Sequence, residues 1–203
     1  MIKLHKLNIA EPYKKFQEYY YHALESSQRN IEAICISSYD KYKSEVNSRF
    51  VNLKYIRGNK WYFYSNYDSP KAQDFKNHSQ IAGAFFWNQA NIQIRLKGMI
   101  FFANKKDSDD HFNSRTIEKN SLAISSYQSK SISSYDEVKK NYLKSLNQIK
   151  SNPTKFNKRP AHWGGYYFVP NYFEFWEGND NRLNKRKCFT YDRSKWISAF
   201  LQP

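Results

Sequence analysis

Read residue by residue, the chain should fold as an α+β protein: an antiparallel barrel of six or more strands with flanking helices, in one domain over residues 1–203. Three features point there. A single amphipathic helix precedes a run of short strands, then helical pieces, then more strands, an order that sets helices outside one antiparallel sheet. Aromatics make up 18% of the residues, with 17 Tyr and 15 Phe, and such rings suit a half-buried pleated surface. At 203 residues the chain can bury a full core without disulfides or metal.

Residues 11–25 read as the helix, with Pro12 in its first turn and Tyr13, Phe16, Tyr20 and Ala23 on one face. Residues 31–38 read as a strand with Ile31, Ala33 and Cys35 on one face and Glu32, Ile34 and Ile36 on the other; its second half is apolar on both. Residues 49–56 form the next strand, and Gly58-Asn59 turns the chain into Trp61-Tyr62-Phe63-Tyr64, a hairpin. A short helix opens at Pro70, capped by Ser69 or Asp68. Strands over 80–87 and 91–103 are joined by the polar turn Asn88-Gln89-Ala90. Residues 105–123 read as short helical pieces. Ser134 starts a further helix, with Glu137 completing a capping box and Val138, Tyr142, Leu146 and Ile149 as the buried stripe. The Ser-rich link 125–134 is too short for a domain boundary. After a basic connector, 153–160, strands return at 165–169, 172–177, 184–191 and 195–200.

The formal charge is +15, from 33 Lys and Arg against 18 Asp and Glu. A polyanionic partner such as nucleic acid would account for it; so would a diffuse solvated surface around a phosphate-binding cleft. The lysines form no long block, which favours the second. Six glycines build neither G-x-G-x-x-G nor G-x-x-x-x-G-K-[ST], arguing against Rossmann and P-loop sites. Cys35 lies in an apolar run and reads as a core residue, with a reactive or paired thiol as the alternative. The five histidines have no ligand spacing, so no metal is expected. Met1-Ile2-Lys3-Leu4-His5 lacks the apolar stretch of a signal peptide, and no run approaches membrane-spanning length. A cytoplasmic protein without a membrane partner is expected.

Basic and polar residues recur where strands meet turns. Arg49 and Lys54 bracket one strand, Tyr64, Ser65 and Asn66 end the next, and Lys71 sits in the first turn of the following helix. Backbone amides at a helix start, with a hydroxyl and a lysine, suit a phosphate. A lone lysine there is ordinarily a surface residue, so the clustering carries the point. No Ser-His-Asp triad or carboxylate pair stands out.

Longer segments carry more. Arg49-Phe50-Val51-Asn52-Leu53-Lys54 follows an R-x-V-L-L-K pattern, and Phe63-Tyr64-Ser65-Asn66 with Ser69-Pro70-Lys71 follows F-Y-T-N…S-x-K. Phe86-Trp87 with Gln93-Ile94-Arg95-Leu96-Lys97-Gly98 comes next, then Phe112-Asn113-Ser114-Arg115 and Ser126-Tyr127-Gln128-Ser129. Trp163-Gly164-Gly165-Tyr166, Glu174-Phe175-Trp176-Glu177-Gly178 and Arg182-Leu183-Asn184-Lys185-Arg186 close the series. In this order, from about residue 11 to the end, the chain resembles the pyridoxamine 5'-phosphate oxidases.

The resemblance implies a homodimeric split β-barrel with two flavin mononucleotide (FMN) sites built across the subunit interface. By position, Arg49, Phe50, Val51, Asn52, Leu53, Lys54, Tyr64, Ser65, Lys71, Gln93, Gln128 and Ser129 would hold the flavin and its phosphate, and Trp176 and Arg186 would reach it too. Lys54 and Arg115 would hold the phosphate of a small-molecule substrate. Arg182 would lie against the substrate ring as the candidate catalytic residue. Alone, Trp176 reads as a β-core ring, and Arg49, Arg182 and Arg186 as surface charges; in register they point to ligand. The implied reaction oxidises pyridoxamine or pyridoxine 5'-phosphate at C4', with the flavin taking the hydride and dioxygen regenerating it.

Four departures fall on the substrate side. Pro70 replaces a second basic residue before Lys71. His111 and Lys119 replace a tyrosine and a serine that contact substrate phosphate; both can still donate to an anion. Asn184 replaces a histidine and cannot titrate. Three functions fit: the vitamer-phosphate oxidase first, then a flavin-dependent oxidase or reductase on another ring substrate, as in the phenazine-pathway relatives, then a non-catalytic flavin-binding protein of the same fold.

Overall fold

In the computed structural model, which describes residues 1–203, the chain opens on a short strand, β1 (Lys3–His5), that its mixed sequence does not announce. Helix α1 (Glu11–Glu25) follows, with Pro12 at its start, where a missing N–H leaves no bond unmade. It buries Tyr13, Phe16, Tyr20 and Ala23, as the periodicity requires, and Tyr19 besides. The Phe16 ring lies 4.4 Å from Trp61, 5.8 Å from Phe85 and 5.9 Å from Trp87, which seats the helix on the inner face of the sheet.

Strands β2 (Ala33–Asp40) and β3 (Glu45–Asn52) form a hairpin. Ile34 and Ile36 point into the core, whereas Cys35 is only half-buried on the opposite face, correcting its reading as a core residue; both cysteines are free thiols. The strand expected over 49–56 is broken. β3 stops at Asn52, and Leu53 and Lys54 lead into β4 (Tyr55–Arg57). Across these two residues the backbone changes partner: Leu53 N–H donates to the Glu32 carbonyl at 2.9 Å, and Lys54 N–H to the Tyr62 carbonyl at 2.8 Å. Tyr62 belongs to β5 (Lys60–Asn66), which pairs with β4 across a turn where Gly58 holds a φ of 59°.

Helix α2 (Pro70–Asn77) leads to β6 (Gln80–Trp87), and a short turn at Asn88–Ala90 to β7 (Ile92–Phe102). Helices α3 (Lys105–Asn113), α4 (Ile117–Ser125), α5 (Tyr135–Ser151) and α6 (Pro153–Phe156) come next. Half of the expected capping box forms on α5: the Ser134 hydroxyl accepts from Glu137 N–H at 3.2 Å, while the Glu137 carboxylate is taken by the Ser133 hydroxyl. Leu146 and Ile149 are buried; Val138 and Tyr142 are half-buried.

The two strands expected over 165–177 are one, β8 (Trp163–Glu177), followed by β9 (Lys185–Asp192) and β10 (Lys195–Leu201). Facing Lys97 and Gly98, the register skips Asn171, a bulge in β8 beside Pro170, which cannot donate to a ladder. A Cβ on Gly98 would sit 2.5 Å from the Val169 carbonyl oxygen and 3.0 Å from Pro170 Cα. Since backbone cannot rotate away, Gly98→Ala should cost about 1–3 kcal/mol of stability. A urea unfolding midpoint equal to that of the unaltered protein would contradict this.

The strands run β1-β4-β5-β8-β7-β6-β2-β3 in one sheet, with β9 on β8 and β10 on β9. Every pairing is antiparallel except β1 with β4, which is parallel. Leu53 and Lys54 join β3, at one end of this order, to β4, near the other. The sheet therefore curls strongly, but no ladder joins its ends, so it is not a closed barrel. A core of 27 residues lies between its inner face and α1, and a smaller cluster of Phe112, Ala123 and Trp163 sits under α3 and α4. No helix is long and apolar enough to cross a membrane.

Candidate active site

Where the sheet curls, residues 49–54, the end of β5, the start of α2 and the α3–α4 corner enclose a cleft of about 740 Å³. Lys3, Arg49, Lys54, Lys71, Arg115 and Lys119 all line it, and no Asp or Glu does. Such one-signed lining focuses a positive potential inside the cleft.

Lys71 sits at one end. Its ammonium is buried, donates to Ser69 Oγ at 3.0 Å and meets no carboxylate. The Ser69 hydroxyl donates in turn to the Asn66 carbonyl at 2.8 Å, so its side chain leaves the helix N–H groups uncapped. Burial, then the nearby Arg49 guanidinium, pushes the Lys71 amine down to about 8. Arg49 is held from behind: Nη1 donates to Ser38 Oγ at 2.6 Å, Nη2 lies 3.6 Å from the Asp74 carboxylate, and Ser38 donates to that carboxylate at 2.6 Å. Gln128 Oε1 accepts from the Ser65 hydroxyl at 3.2 Å and from Asn66 N–H at 3.3 Å, with Ser129 beside it.

Lys54, Arg115, Lys119 and His111 make the other end. The Arg115 guanidinium lies 4.4 Å over the Trp163 ring and donates through Nη2 to the Lys119 carbonyl at 2.7 Å. Its Nη1 is buried and has no hydrogen-bond partner within the chain. Burial lowers the Lys54 amine, with Lys119 and Arg115 adding to it against the opposing pull of Glu32. The His111 ring stacks on Tyr64, centroids 3.7 Å apart, and its Nδ1 lies 3.0 Å from the Tyr55 hydroxyl. Burial, then Arg115, Lys54, Lys3 and Arg57, push this imidazole down to about 4; it is neutral at neutral pH.

The cleft thus brings together Arg49, Phe50, Val51, Asn52, Lys54, Tyr64, Ser65, Lys71, His111, Arg115, Lys119, Gln128 and Ser129. Leu53 is different: strand alternation turns its side chain wholly into the core, leaving only its backbone near the cleft. Gln93, Trp176 and Arg186 lie elsewhere, side by side in a cross-strand row, Phe86–Gln93–Trp176–Arg186–Leu201. In that row Arg186 donates through Nε and Nη2 to Glu174 Oε1 at 3.1 and 2.7 Å and through Nη1 to the Gln202 carbonyl at 2.8 Å. Burial alone would raise the Glu174 carboxyl, but Arg186, Tyr172 and Arg95 outweigh it and hold the group below its ordinary range. Arg182 and Asn184 also lie outside the cleft, in the loop between β8 and β9. Arg182 is exposed with a left-handed φ of 60°, and Asn184 Oδ1 accepts from Asn179 N–H at 3.0 Å.

Sequence reasoning missed Lys3, Tyr55 and Trp163, which also line the cleft. Lys3 gives no local signal, because only the long-range pairing of β1 with β4 brings it there. Trp163 had one: a ring placed directly before Gly164-Gly165 and read only as part of a motif.

This is a curled α+β sheet protein whose cleft gathers cations at both ends, a lining with the charge to receive anions. More particularly, the chain belongs to the pyridoxine/pyridoxamine 5'-phosphate oxidase family. Residues 22–146 match the family model for pyridoxamine 5'-phosphate oxidase, and residues 163–203 match that for the pyridoxine 5'-phosphate oxidase C-terminal dimerisation region. The chain is 33% identical to pyridoxine/pyridoxamine 5'-phosphate oxidase 1 of Hydrogenovibrio crunogenus, over 90% of this chain and 82% of that protein. It is 34% identical to the Cytophaga hutchinsonii pyridoxine/pyridoxamine 5'-phosphate oxidase, over 88% and 81%. In fold it resembles PhzG from Burkholderia lata 383, solved with tetrahydrophenazine-1-carboxylic acid, at a TM-score of 0.87 and 20% identity over 95% of this chain and 93% of that one. A pyridoxamine 5'-phosphate oxidase-related, FMN-binding protein from Nostoc punctiforme gives a TM-score of 0.75 at 11% identity, over 93% and 97%.

Proposed function

We propose that this chain is an FMN-dependent oxidase that converts pyridoxamine or pyridoxine 5'-phosphate to pyridoxal 5'-phosphate, with dioxygen as acceptor, as a homodimer of single-domain split-barrel subunits. The observation that carries the reading is a single cleft with two separate cationic ends and no carboxylate between them. Two phosphate-bearing molecules must meet in this reaction, one at each end.

The residues fit FMN. A buried lysine with no counter-ion is costly unless an anion comes to it, and Lys71 is such a lysine, flanked by Arg49 and Ser65. Bound there, FMN would supply the hydride acceptor that the side chains lack. At the other end, Lys54, Arg115 and Lys119 would hold the substrate phosphate, with the unpaired Arg115 Nη1 as one donor. Gln93, Trp176 and Arg186 would complete the flavin site, and Arg182 would orient the substrate ring, from the second subunit. Their separation from the cleft supports this arrangement, as does the match to a dimerisation region that contains three of the four.

The decisive experiment is anaerobic mixing of the FMN-loaded protein with pyridoxamine 5'-phosphate while flavin absorbance is followed. Bleaching is expected. A second reading, an FMN-dependent oxidase or reductase on another ring substrate, draws support from the departures at Pro70, His111, Lys119 and Asn184. Persistent flavin colour with both vitamer phosphates would replace the first reading with the second.

A further inference from the structure

His111 lines the second cationic end of the cleft beside Lys54, Arg115 and Lys119, and its surroundings are unusual. One ring face is covered by Tyr64, and Trp163 lies parallel at 6.2 Å. Nδ1 shares a hydrogen with the Tyr55 hydroxyl, and Nε2 has no partner in the protein. The charged groups around the ring are almost all of one sign: Lys3 on β1, Lys54 before β4, Arg57 on β4, and Arg115 beyond α3. Lys119 on α4 lines the same cleft. Of the nearby acids, Asp107 on α3 is taken up by Arg57 at 2.5 Å, and Glu32, which acts on Lys54, lies 3.4 Å from the N-terminal ammonium of Met1, itself part of the cleft lining.

We propose that His111 is a proton-coupled ligand for the substrate's dianionic group: when a dianion settles among Lys54, Arg115 and Lys119, the imidazole takes one proton from solvent and Nε2 donates to the dianion. This rests on the proposed function, which puts a phosphate monoester at that end of the cleft. Burial first, and then the surrounding cations, hold the ring neutral, at about 4. A dianion beside them reverses the local field, and an opposite charge within about 4–6 Å moves a pKa by roughly 1–3 units. Whichever nitrogen carries the hydrogen in the neutral ring, the imidazolium has N–H on both, so Nε2 becomes or remains a donor and gains a full charge. Tyr55 can donate to or accept from Nδ1, so it serves either state. A tyrosine at this position could offer a hydrogen bond but no charge, so the substitution makes the subsite tighten on dianions as pH falls and favour them over neutral or singly charged groups.

Inorganic sulfate is the suitable probe, because it stays a dianion across the range where phosphate esters themselves titrate. With FMN-loaded protein, binding is measured by calorimetry and the His111 ring by proton NMR, its resonance assigned by its loss in His111→Tyr. Sulfate should bind about tenfold more tightly near pH 5 than near pH 7.5, and saturating sulfate should raise the His111 midpoint by about two units, the rise that such a difference requires from a free value of about 4. His111→Tyr and His111→Gln should flatten the pH dependence. Lys119→Ala should weaken binding at both pH values and keep the slope. Sulfate binding of equal strength at both pH values, with an unmoved His111 midpoint, overturns the inference alone. Sulfate binding that is absent, or indifferent to Arg115→Ala, overturns it together with the substrate subsite.

Discussion

Lys71→Ala is expected to weaken FMN binding at neutral pH by roughly ten- to a hundredfold and to leave riboflavin binding nearly unchanged. A hydrogen bond between a charged donor and phosphate is worth about 1.5–3 kcal/mol, and riboflavin has no phosphate to lose it. The pH dependence separates this from simple loss of packing. In the free protein the amine gives up its proton near pH 8, against about 10.4 in an unfolded chain. Folding thus favours the neutral amine. The free protein carries a penalty below pH 8 that fades as pH rises toward the unfolded value, so its stability should increase over that window. A bound phosphate reverses the preference, since it attracts the ammonium. FMN affinity should therefore be highest below pH 8 and fall above it, by at most about tenfold per pH unit. The flavin phosphate is already doubly charged there, having its second pKa near about 6. Fluorescence titration across this range should show the decline in the unaltered protein and a nearly level profile in Lys71→Ala. A decline of equal steepness in both would mean that another group titrates and that Lys71 is not the phosphate ligand.

What could be read from the sequence follows how local the cause is. Helix α1, the β4–β5 turn at Gly58, the β6–β7 hairpin and the start of α5 are set by periodicity and turn chemistry within a few residues. All were legible. The Lys71 end of the cleft was legible too, because one short stretch from Tyr64 to Lys71 builds most of it. The features that escaped depend on partners far along the chain. β1 exists only through its parallel pairing with β4. The break after Asn52 exists because Leu53 and Lys54 exchange bonds with β2 for bonds with β5, so a pattern that reads as one strand serves two. Pro170 looks like the end of a strand until a bulge at the adjacent Asn171, with Gly98 leaving room for Val169 and Pro170, lets β8 continue. The Cys35 error has the same origin: an apolar stretch does not say which face meets the core. The role of Asp74, which fixes Arg49 from α2, has no sequence signature either. Family resemblance supplied Gln93, Trp176, Arg182 and Arg186, and nothing local would have grouped them with the cleft. The fold of one chain does not group them with it either.

That separation leads to a sharp expectation. If Arg182 of one subunit serves the cleft of the other, two damaged subunits should repair each other. Arg115→Ala removes a cleft cation and Arg182→Ala removes the group proposed to orient the substrate ring. Each should slow flavin reduction by pyridoxamine 5'-phosphate by about a hundredfold in its homodimer, since misplacing a reacting centre by about 1 Å costs that much. In a heterodimer of the two variants, one site contains both substitutions and the other contains neither, because a twofold axis exchanges the contributions. The heterodimer, isolated by means of two different affinity tags, should therefore reduce its flavin at about half the amplitude of the unaltered dimer and with a normal rate constant. If each site were built within a single subunit, both sites of the heterodimer would carry one substitution and none would recover. Asn184→His serves as the companion test, since it restores a titratable group two residues from Arg182. Placed in the Arg115→Ala subunit, it should alter the rate at the intact site, because that subunit supplies the Arg182 loop there. In the Arg182→Ala subunit it should leave that rate untouched. A heterodimer as slow as its two parents would rule out the composite site and return Arg182 to the status of an exposed loop residue.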